Sequence, residues 1–524
     1  MMNRPVMANL PGFRIIRILI SCIMLFLFFL VFLGDEKISG LLSQTLLSFQ
    51  FVPSLIRFFI NPAGILSFSF FLILLLNLVF GRVYCSFLCP LGMLQDLFIF
   101  ISRKAGVKKK HAFQTSSSAV QYSLLGIIIV SVIFGSLSIV NILDPYSLFG
   151  KFSAHLFKSA ALFVNNIFVN LFEMFDIYIL HIRKLHEIPI SILIFTIISL
   201  CIVFLFSIFR GRLYCNMVCP VGAVLGLISR VSFFNFSIED QKCKSCRLCE
   251  HVCKAGCLDI KNKTIDNSRC IACFNCLDVC YESAVKYLFQ MPVYRPACRS
   301  NHAQARRIFL LSAVAGIGTA LADYSPVSLI WARGASGKDM PITPPGSLSI
   351  KHFTKTCTSC HLCVSVCPTN VITPSLADYG ISGLMQPKMN FRKGHCDFSC
   401  NACGIVCPTG AISRLLPDEK KQVQIGTVSL NKKKCIVHVK KKHCGACGEA
   451  CPANAISPVQ KDRVLFPKIN KDFCIGCGAC EHACPTHPKA IFITANPVHK
   501  QAVKYAAKDS FVQDGISDDK GFPF

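Results

Sequence analysis

Acidic residues are scarce in this chain of 524 residues: 28 Asp and Glu stand against 55 Lys and Arg, a formal charge of +27. Such an excess ordinarily implies nucleic acid or anionic lipid as a partner. The tally counts every thiol as neutral, however. Most of the 32 cysteines sit in groups of four with the two- and three-residue gaps of iron–sulfur ligands, and a four-iron cluster with its four thiolates carries about two negative charges. Much of the excess is therefore read as compensation for bound clusters, and no nucleic-acid partner is expected. Histidine is missing from each of the four long apolar runs, which excludes a haem held between membrane helices by two imidazoles. A nucleotide fingerprint is missing as well. The stretch "GIGTALA", residues 316–322, follows no strand, so neither NAD nor a flavin is expected as a cofactor.

What is present is apolar sequence and cysteine. Hydrophobic residues make up 52% of the chain, too many for a purely soluble protein. The runs 13–33, 62–80, 119–143 and 188–209 are each long enough to cross a bilayer as a helix. The N-terminus carries Arg4, with Arg14 at the start of the first run; Arg82, Arg103, Lys104, Lys108, Lys109 and Lys110 follow the second; Arg210, Arg212 and Arg230 follow the fourth. The positive-inside rule puts these three segments in the cytoplasm of a multi-pass protein of a bacterial inner membrane. His155, His181 and His186 fall in the outer loop after Asp144 and are expected to be solvated or interfacial rather than ligands.

The order span, loop, span, motif occurs twice, the signature of an internal duplication. The motifs are "GRVYCSFLCPLG" at 81–92 and "GRLYCNMVCPVG" at 211–222. Duplication relates the copies by a pseudo-symmetry axis, on which Cys85, Cys89, Cys215 and Cys219 can converge on one shared redox or cluster site. Two other readings stay open: small buried cysteines closing each helix, or redox dithiols with one residue more than the usual Cys-x-x-Cys.

The remaining cysteines are mostly in fours. "CKSCRLCEHVC" holds Cys243, Cys246, Cys249 and Cys253, and "CIACFNCLDVC" holds Cys270, Cys273, Cys276 and Cys280. In a bacterial-type ferredoxin the first three cysteines of one run share a four-iron cluster with the fourth of the other. Cys280 is thus expected with Cys243, Cys246 and Cys249, and Cys253 with Cys270, Cys273 and Cys276. A zinc reading would leave half of these thiols idle. Lys254 and Tyr281 stand where proline usually follows the fourth cysteine, and Cys257 is a spare thiol.

Further on, Arg306 and Arg307 open an apolar stretch, 305–322, that resembles a twin-arginine export signal, and a linker rich in Gly, Pro and Ser follows at 334–346. An ordinary short membrane anchor predicts the same topology. Four more groups come next: Cys357, Cys360, Cys363, Cys367; Cys396, Cys400, Cys403, Cys407; Cys435, Cys444, Cys447, Cys451; and Cys474, Cys477, Cys480, Cys484. Their first cysteines repeat every 39 residues and each group ends in Cys-Pro. Four clusters are implied, making six in all with a seventh open at the Cys-x-x-x-Cys-Pro motifs; which groups exchange fourth ligands is left open. "CTSCH", 357–361, also fits a c-type haem site, but that use would strand Cys363 and Cys367. "CIVHVKKKHC", 435–444, contains Lys440–Lys442 and is preceded by Lys432–Lys434; a solvated loop offsetting cluster charge is the first reading and docking of an acidic redox partner the second.

The expected fold is an α-helical membrane domain, 1–237, with four spans and an internal duplication, followed by α+β two-cluster ferredoxin domains at 238–300 and 351–500. The segment 301–350 links them and 501–524 is a tail. Residues 1–300, with two "GR-x-YC-x-x-x-CP" motifs and a ferredoxin pair, resemble the NapH family of quinol dehydrogenase membrane subunits. Residues 305–500 are similar to its exported partner NapG, so two usual subunits look fused. The resemblance implies oxidation of quinol from the membrane pool, with delivery of electrons to a periplasmic reductase or cytochrome across a membrane that the C-terminal domain has crossed. Rival readings are an assembly polyferredoxin for metalloenzyme maturation and inward electron entry from a cytoplasmic ferredoxin.

Overall fold

The structure, a computed structural model, describes residues 12–34, 36–62, 64, 68–106, 118–179, 181–183, 187–290, 340–461 and 463–503. The helices of the first part are α1 (Gly12–Leu33), α2 (Glu36–Ser48), α3 (Phe51–Ile60), α4 (Ser69–Phe80), α5 (Tyr84–Phe87), α6 (Pro90–Lys104), α7 (Ser118–Ile133), α8 (Ser138–Leu143), α9 (Pro145–Phe152), α10 (Lys158–Glu173), α11 (Ile190–Arg210), α12 (Leu213–Met217) and α13 (Pro220–Ile228). Among the described residues, α1 and α11 are long and apolar enough to cross a membrane. Both leave isoleucines exposed along one side, among them Ile15, Ile23, Ile194 and Ile198. A 22-residue helix such as α1 is about 33 Å long, close to the thickness of a hydrocarbon core.

Two of the four expected spans come out differently. Among the described residues of the run 62–80, the α-helix is the 12-residue α4, against which the separate apolar helix α3 packs. The run 119–143 breaks between α7 and α8, where Gly135 takes a φ of 82° that a helix cannot continue through. The segment after Asp144, expected as an outer loop, is helical through α9, a π-helical turn at Ser153–Phe157 and α10.

Local chemistry explains the repeated Cys-Pro. In each motif a short helix, α5 or α12, ends just before the second cysteine. That cysteine then caps the next helix, α6 or α13, whose first residue is proline with φ already set for helix and no N–H to leave unpaired.

The first ferredoxin module is a small α+β unit. Strands β1 (Phe234–Ile238) and β4 (Val285–Phe289) pair antiparallel, with β2 (Leu258–Asp259) and β3 (Thr264–Ile265) as a second ladder. The second module carries three antiparallel pairs: β5 (Ile372–Pro374) with β6 (Pro387–Met389), β7 (Val423–Leu430) with β10 (Ile491–Gln501), and β8 (Ile456–Lys461) with β9 (Val464–Ile469). The twin-arginine-like stretch lies outside the described residues.

The two modules meet α1 at its two ends. Phe13 stacks on Phe274, and Arg14 pairs with Asp278 of the first module. At the other end, the Phe32 carbonyl accepts a hydrogen bond from Ser365 of the second. Between them, Ser21 donates to the Ser86 carbonyl inside the first Cys-Pro motif.

Candidate electron-transfer centres

Four of the six ferredoxin motifs are built by the same local device. In the regular Cys-x-x-Cys-x-x-Cys loops the residues on either side of the second cysteine take left-handed backbone: Ser245 and Arg247, Ala272 and Phe274, Ser359 and His361, Gly476 and Gly478. Paired left-handed turns curl the chain and aim successive N–H groups inward, as in an anion-binding nest. Amides of Ala284, Ile412 and Ala455 donate to Cys280, Cys407 and Cys451 at 3.3, 3.4 and 3.3 Å.

Tertiary folding then assembles the quartets. Cys249 lies with Cys243, Cys246 and Cys280. Cys253, Cys270, Cys273 and Cys276 line one hollow with Phe236 and Leu258. In the second module the exchange left open by the sequence is between first and second groups and between third and fourth. Cys363 lies with Cys357, Cys360 and Cys407, while Cys367 lines a hollow with Cys396, Cys400 and Cys403. Cys484 joins Cys435, Cys444 and Cys447, and Cys451 joins Cys474, Cys477 and Cys480. Among the described residues no three His, Cys, Asp or Glu side chains close on one metal-ion position. The thiols ring apolar hollows instead, which suits a polyatomic iron–sulfur cluster and is too open for a single zinc ion.

The quartets also fall into rows. Cys276 neighbours Cys249, so the two sets of the first module are adjacent. Cys363 neighbours Cys403, the Cys396 amide donates to the Cys477 carbonyl at 2.9 Å, and Cys480 neighbours Cys447. The second module therefore runs from the Cys357 set to the Cys396 set, the Cys474 set and finally the Cys435 set. Burial pushes Cys249, Cys360 and Cys447 up to about 11. Cys253 is the opposite case, held at about 6 by Cys257, whose sulfur is 3.6 Å away, and by neighbouring backbone amides. The spare thiol thus lines the same hollow as the quartet.

The four thiols of the Cys-Pro motifs converge. Cys85, Cys89, Cys215 and Cys219 are all buried, and the sulfurs of Cys85, Cys89 and Cys215 all lie within electrostatic reach of Cys219. Two arginines, read from sequence only as topology signals, hold the halves together by a crossed grip. Arg82 donates to the Cys215 carbonyl at 3.1 Å, and Arg212 donates to the Cys85 carbonyl. Each guanidinium passes over the glycine of the other copy, Gly222 or Gly92, where an added Cβ would collide with both the arginine and the cysteine carbonyl. Arg82 and Arg212 are 1% and 0% exposed, so their charges must be met inside the protein. Asp96 meets Arg212, Arg17 and Lys254 at 2.9, 2.8 and 3.0 Å. Arg82 has Asn216 Oδ1 at 2.8 Å, the Ser268 and Cys215 carbonyls, and Cys85 Sγ at 3.9 Å. The buried guanidinium of Arg82 supplies positive charge beside the four thiols, which thiolate ligands of a bound centre would need.

This chamber lies between the modules. Toward the first, Ser86 donates to the Ile271 carbonyl and Asn216 to the Ala255 carbonyl, while the Arg212 amide donates to the Lys254 carbonyl. Lys254, which stands at the proline position of its motif, reaches Asp96 with its ammonium. Toward the second module, buried Asp144 lies within electrostatic reach of Tyr84 and Tyr214 on the chamber side and of Tyr146 and Cys360 on the other. The seam itself is polar and tight. Ser147 donates to the Thr358 carbonyl at 2.6 Å, Lys158 to the Ser365 carbonyl, and Gly150 abuts the Cys360 carbonyl, leaving no room for a side chain.

His155 corrects the sequence reading. It is 1% exposed and pairs with His361, Nε2 to Nδ1 at 2.6 Å. His361 Nε2 donates to the Met385 carbonyl, so its Nδ1 is the acceptor and His155 donates. That use of His361 also ties up the histidine of "CTSCH". His181 is exposed, and His186 lies outside the described residues. Sequence reasoning missed Asp96 and Asp144 altogether; the one available signal was the "GR" that opens both motifs.

Comparison with known proteins gives the class. A 4Fe-4S binding domain family matches residues 60–108 and 192–239, the two segments that carry the Cys-Pro motifs. Two 4Fe-4S dicluster families match 356–412 with 442–490, and 266–371. The chain carries 4Fe-4S ferredoxin-type domains and is similar to the NapH-like polyferredoxins, which are ferredoxin-type electron-transfer proteins. An uncharacterised protein of Methanocaldococcus jannaschii is 40% identical over 75 residues, 14% of this chain and 29% of that protein. A second from the same organism is 28% identical over 221 residues, 41% of this chain and 76% of its own length. The ferredoxin-type protein NapH of Escherichia coli is 27% identical over 209 residues, 38% of this chain and 60% of its length. No solved structure matches.

Proposed function

We propose that the chain conducts electrons across a bacterial inner membrane, from quinol to a periplasmic redox protein. The observation that carries this reading is the sorting of contacts along α1. The first module is held by Phe13, Arg14, Arg82, Ser86 and Arg212, in segments that the positive-inside rule assigns to the cytoplasm. The second is held by Ser147, Lys158 and Glu187, in segments assigned outside, and by Ser138 near the outer end of the third run. The four-thiol chamber sits at the level of Ser21, about 12 Å along α1 from Phe13 and about 16 Å from Phe32.

Bound clusters supply one-electron uptake and release. The chain's own residues fix their order, exclude water from the hollows and balance their charge. Six clusters would occupy the 24 ferredoxin cysteines, and Cys85, Cys89, Cys215 and Cys219 would hold a seventh redox centre joining the two rows. Quinol oxidation releases two electrons and two protons, and a periplasmic reductase or cytochrome takes the electrons in turn. Quinol as donor and an exported second module also rest on the resemblance to the NapH and NapG pair.

The test is anaerobic titration of the purified protein with menaquinol, followed by EPR. Stepwise reduction of several four-iron signals is expected. Reduction by a cytoplasmic-type ferredoxin but not by quinol would overturn the direction proposed, and reduction by neither would favour an assembly role.

A further inference from the structure

The last quartet in the row, Cys435, Cys444, Cys447 and Cys484, differs from the others in its surroundings. Its first gap is stretched to eight residues, and the extra chain forms a basic loop. Lys432, Lys433 and Lys434 precede Cys435, and Lys440, Lys441 and Lys442 close the single turn Ile436–Lys440. All six lysines are exposed, and none forms an ion pair with a described carboxylate. Over residues 431–472, ten lysines and arginines stand against three acids. Beside the loop a cleft is lined by His443, Cys444, Cys447, Leu465, Lys468 and Phe473. Leu465 is exposed there, and Val439 and Val459 are exposed on the loop and on β8, while Cys444 and Cys447 are only partly covered.

The quartet at the opposite end of the molecule makes the contrast. It too reaches the surface, with Cys246 exposed, but its lysines are already answered: Lys242 and Lys286 by Glu239, Lys244 by Glu282. An electron leaves a protein where the ligands of a centre approach solvent. An unanswered ring of like charge around a small apolar centre is the form of an electrostatically steered docking site. Anionic lipid would be drawn to the same lysines. The seam with the membrane domain, however, is made by the Cys357 and Cys396 sets, and this loop belongs to the last set of the row.

We propose that this surface is the docking site of an acidic one-electron carrier protein and the exit port of the electron path. The proposal rests on the electron-transfer reading above. Each encounter moves one electron from the reduced terminal centre to the oxidised centre of the carrier, with no bond made or broken and no proton required.

The test uses the full-length holoprotein in nanodiscs, with a basic c-type cytochrome and its succinylated form as probes of one fold and opposite charge. Binding is measured directly, and oxidation of the pre-reduced protein is followed in parallel. The succinylated form is expected to bind at least about tenfold more tightly at 50 mM salt and to lose that advantage at 500 mM. Lys432→Glu/Lys433→Glu/Lys434→Glu should weaken its binding about tenfold or more, with unchanged cluster absorbance; Lys440→Gln/Lys441→Gln/Lys442→Gln serves if the first variant fails to fold. Lys242→Glu/Lys244→Glu should leave binding unchanged. Charge-blind binding, or a triple variant that loses affinity for phosphatidylglycerol vesicles but not for the succinylated cytochrome, would overturn the proposal. Ferricyanide, which needs no docking site, separates the failures. Normal reoxidation by it with charge-blind cytochrome binding rejects the port alone, whereas clusters that ferricyanide cannot reoxidise reject the electron-transfer reading itself.

Discussion

Replacing Asp96 by asparagine removes one charge from a carboxylate that three cations share. Arg212 reaches Oδ1 through Nε at 3.0 Å and Nη2 at 2.9 Å, and Arg17 and Lys254 reach Oδ2 at 2.8 and 3.0 Å. All three cations are buried, and the Asp96 side chain is 15% exposed. Removing one partner of a buried pair costs about 3–5 kcal/mol, because the remaining charge stays desolvated. Asparagine keeps the shape and one oxygen, so the lower end, about 3 kcal/mol, is the better figure. At about 1.4 kcal/mol per factor of ten, that is a change of roughly a hundredfold in a local opening equilibrium. Lys254 belongs to the first ferredoxin module and Arg212 to α12, so the opening should detach the module from the helices. Hydrogen exchange read by mass spectrometry should show amides of residues 239–290 exchanging about a hundred times faster. Glu282→Gln, which removes only the exposed partner of Lys244, should leave that exchange unchanged. If Asp96→Asn exchanges at the wild-type rate throughout 239–290, the carboxylate does not anchor the module and the charge argument fails.

Four further outcomes are expected. Anaerobic reconstitution should give about 24 irons per chain from six four-iron clusters, and about four more if the Cys-Pro thiols hold a cluster; Cys85→Ala/Cys215→Ala should then lower iron analysis by that increment alone. Gly150→Val should push the second module off the seam, because its Cβ would overlap the Cys360 carbonyl, and limited proteolysis should release residues 340–503 from the helical part. Protease added to intact spheroplasts should remove that same region and spare Cys243–Cys280, whereas protection of both would place the modules on one side. Burial lowers His499 to about 4, with Nε2 held by Thr343 at 2.8 Å. Its folded value lies below the ordinary 6.5, so its contribution is intact above pH 6.5 and is lost as pH falls toward 4, by about 3 kcal/mol at most. His499→Gln should flatten that acid limb in thermal melts of the protein.

Much of the ligand set was legible because cluster ligation is local: two- and three-residue gaps mark Cys243, Cys246 and Cys249 without any knowledge of the fold. The partner of each triplet is a tertiary matter, and the 39-residue repeat, identical for every group, carries no information about which groups exchange. The membrane region was legible in outline only. Apolar runs report composition, and neither the break at Gly135 nor the shortness of α4 changes composition much. Asp96 and Asp144 were invisible for another reason. Each is a single polar residue whose partners lie far off in sequence, Lys254 by more than 150 residues and Cys360 by more than 200. His155 was misjudged on the same ground, since its partner His361 arrives from the far end of the chain.

The seam at Gly150, Ser147 and Lys158 is made by direct packing between residues that lie roughly 200 positions apart. Covalent continuity through residues 291–339 therefore adds local concentration to a fit that the two surfaces already have. A gene cut within that stretch would still encode two surfaces that recognise each other, so fusion and separation of the two parts are exchangeable states for this architecture. What evolution can vary cheaply is the joint; what it must keep is the fit of a bare glycine against a cluster-bearing loop.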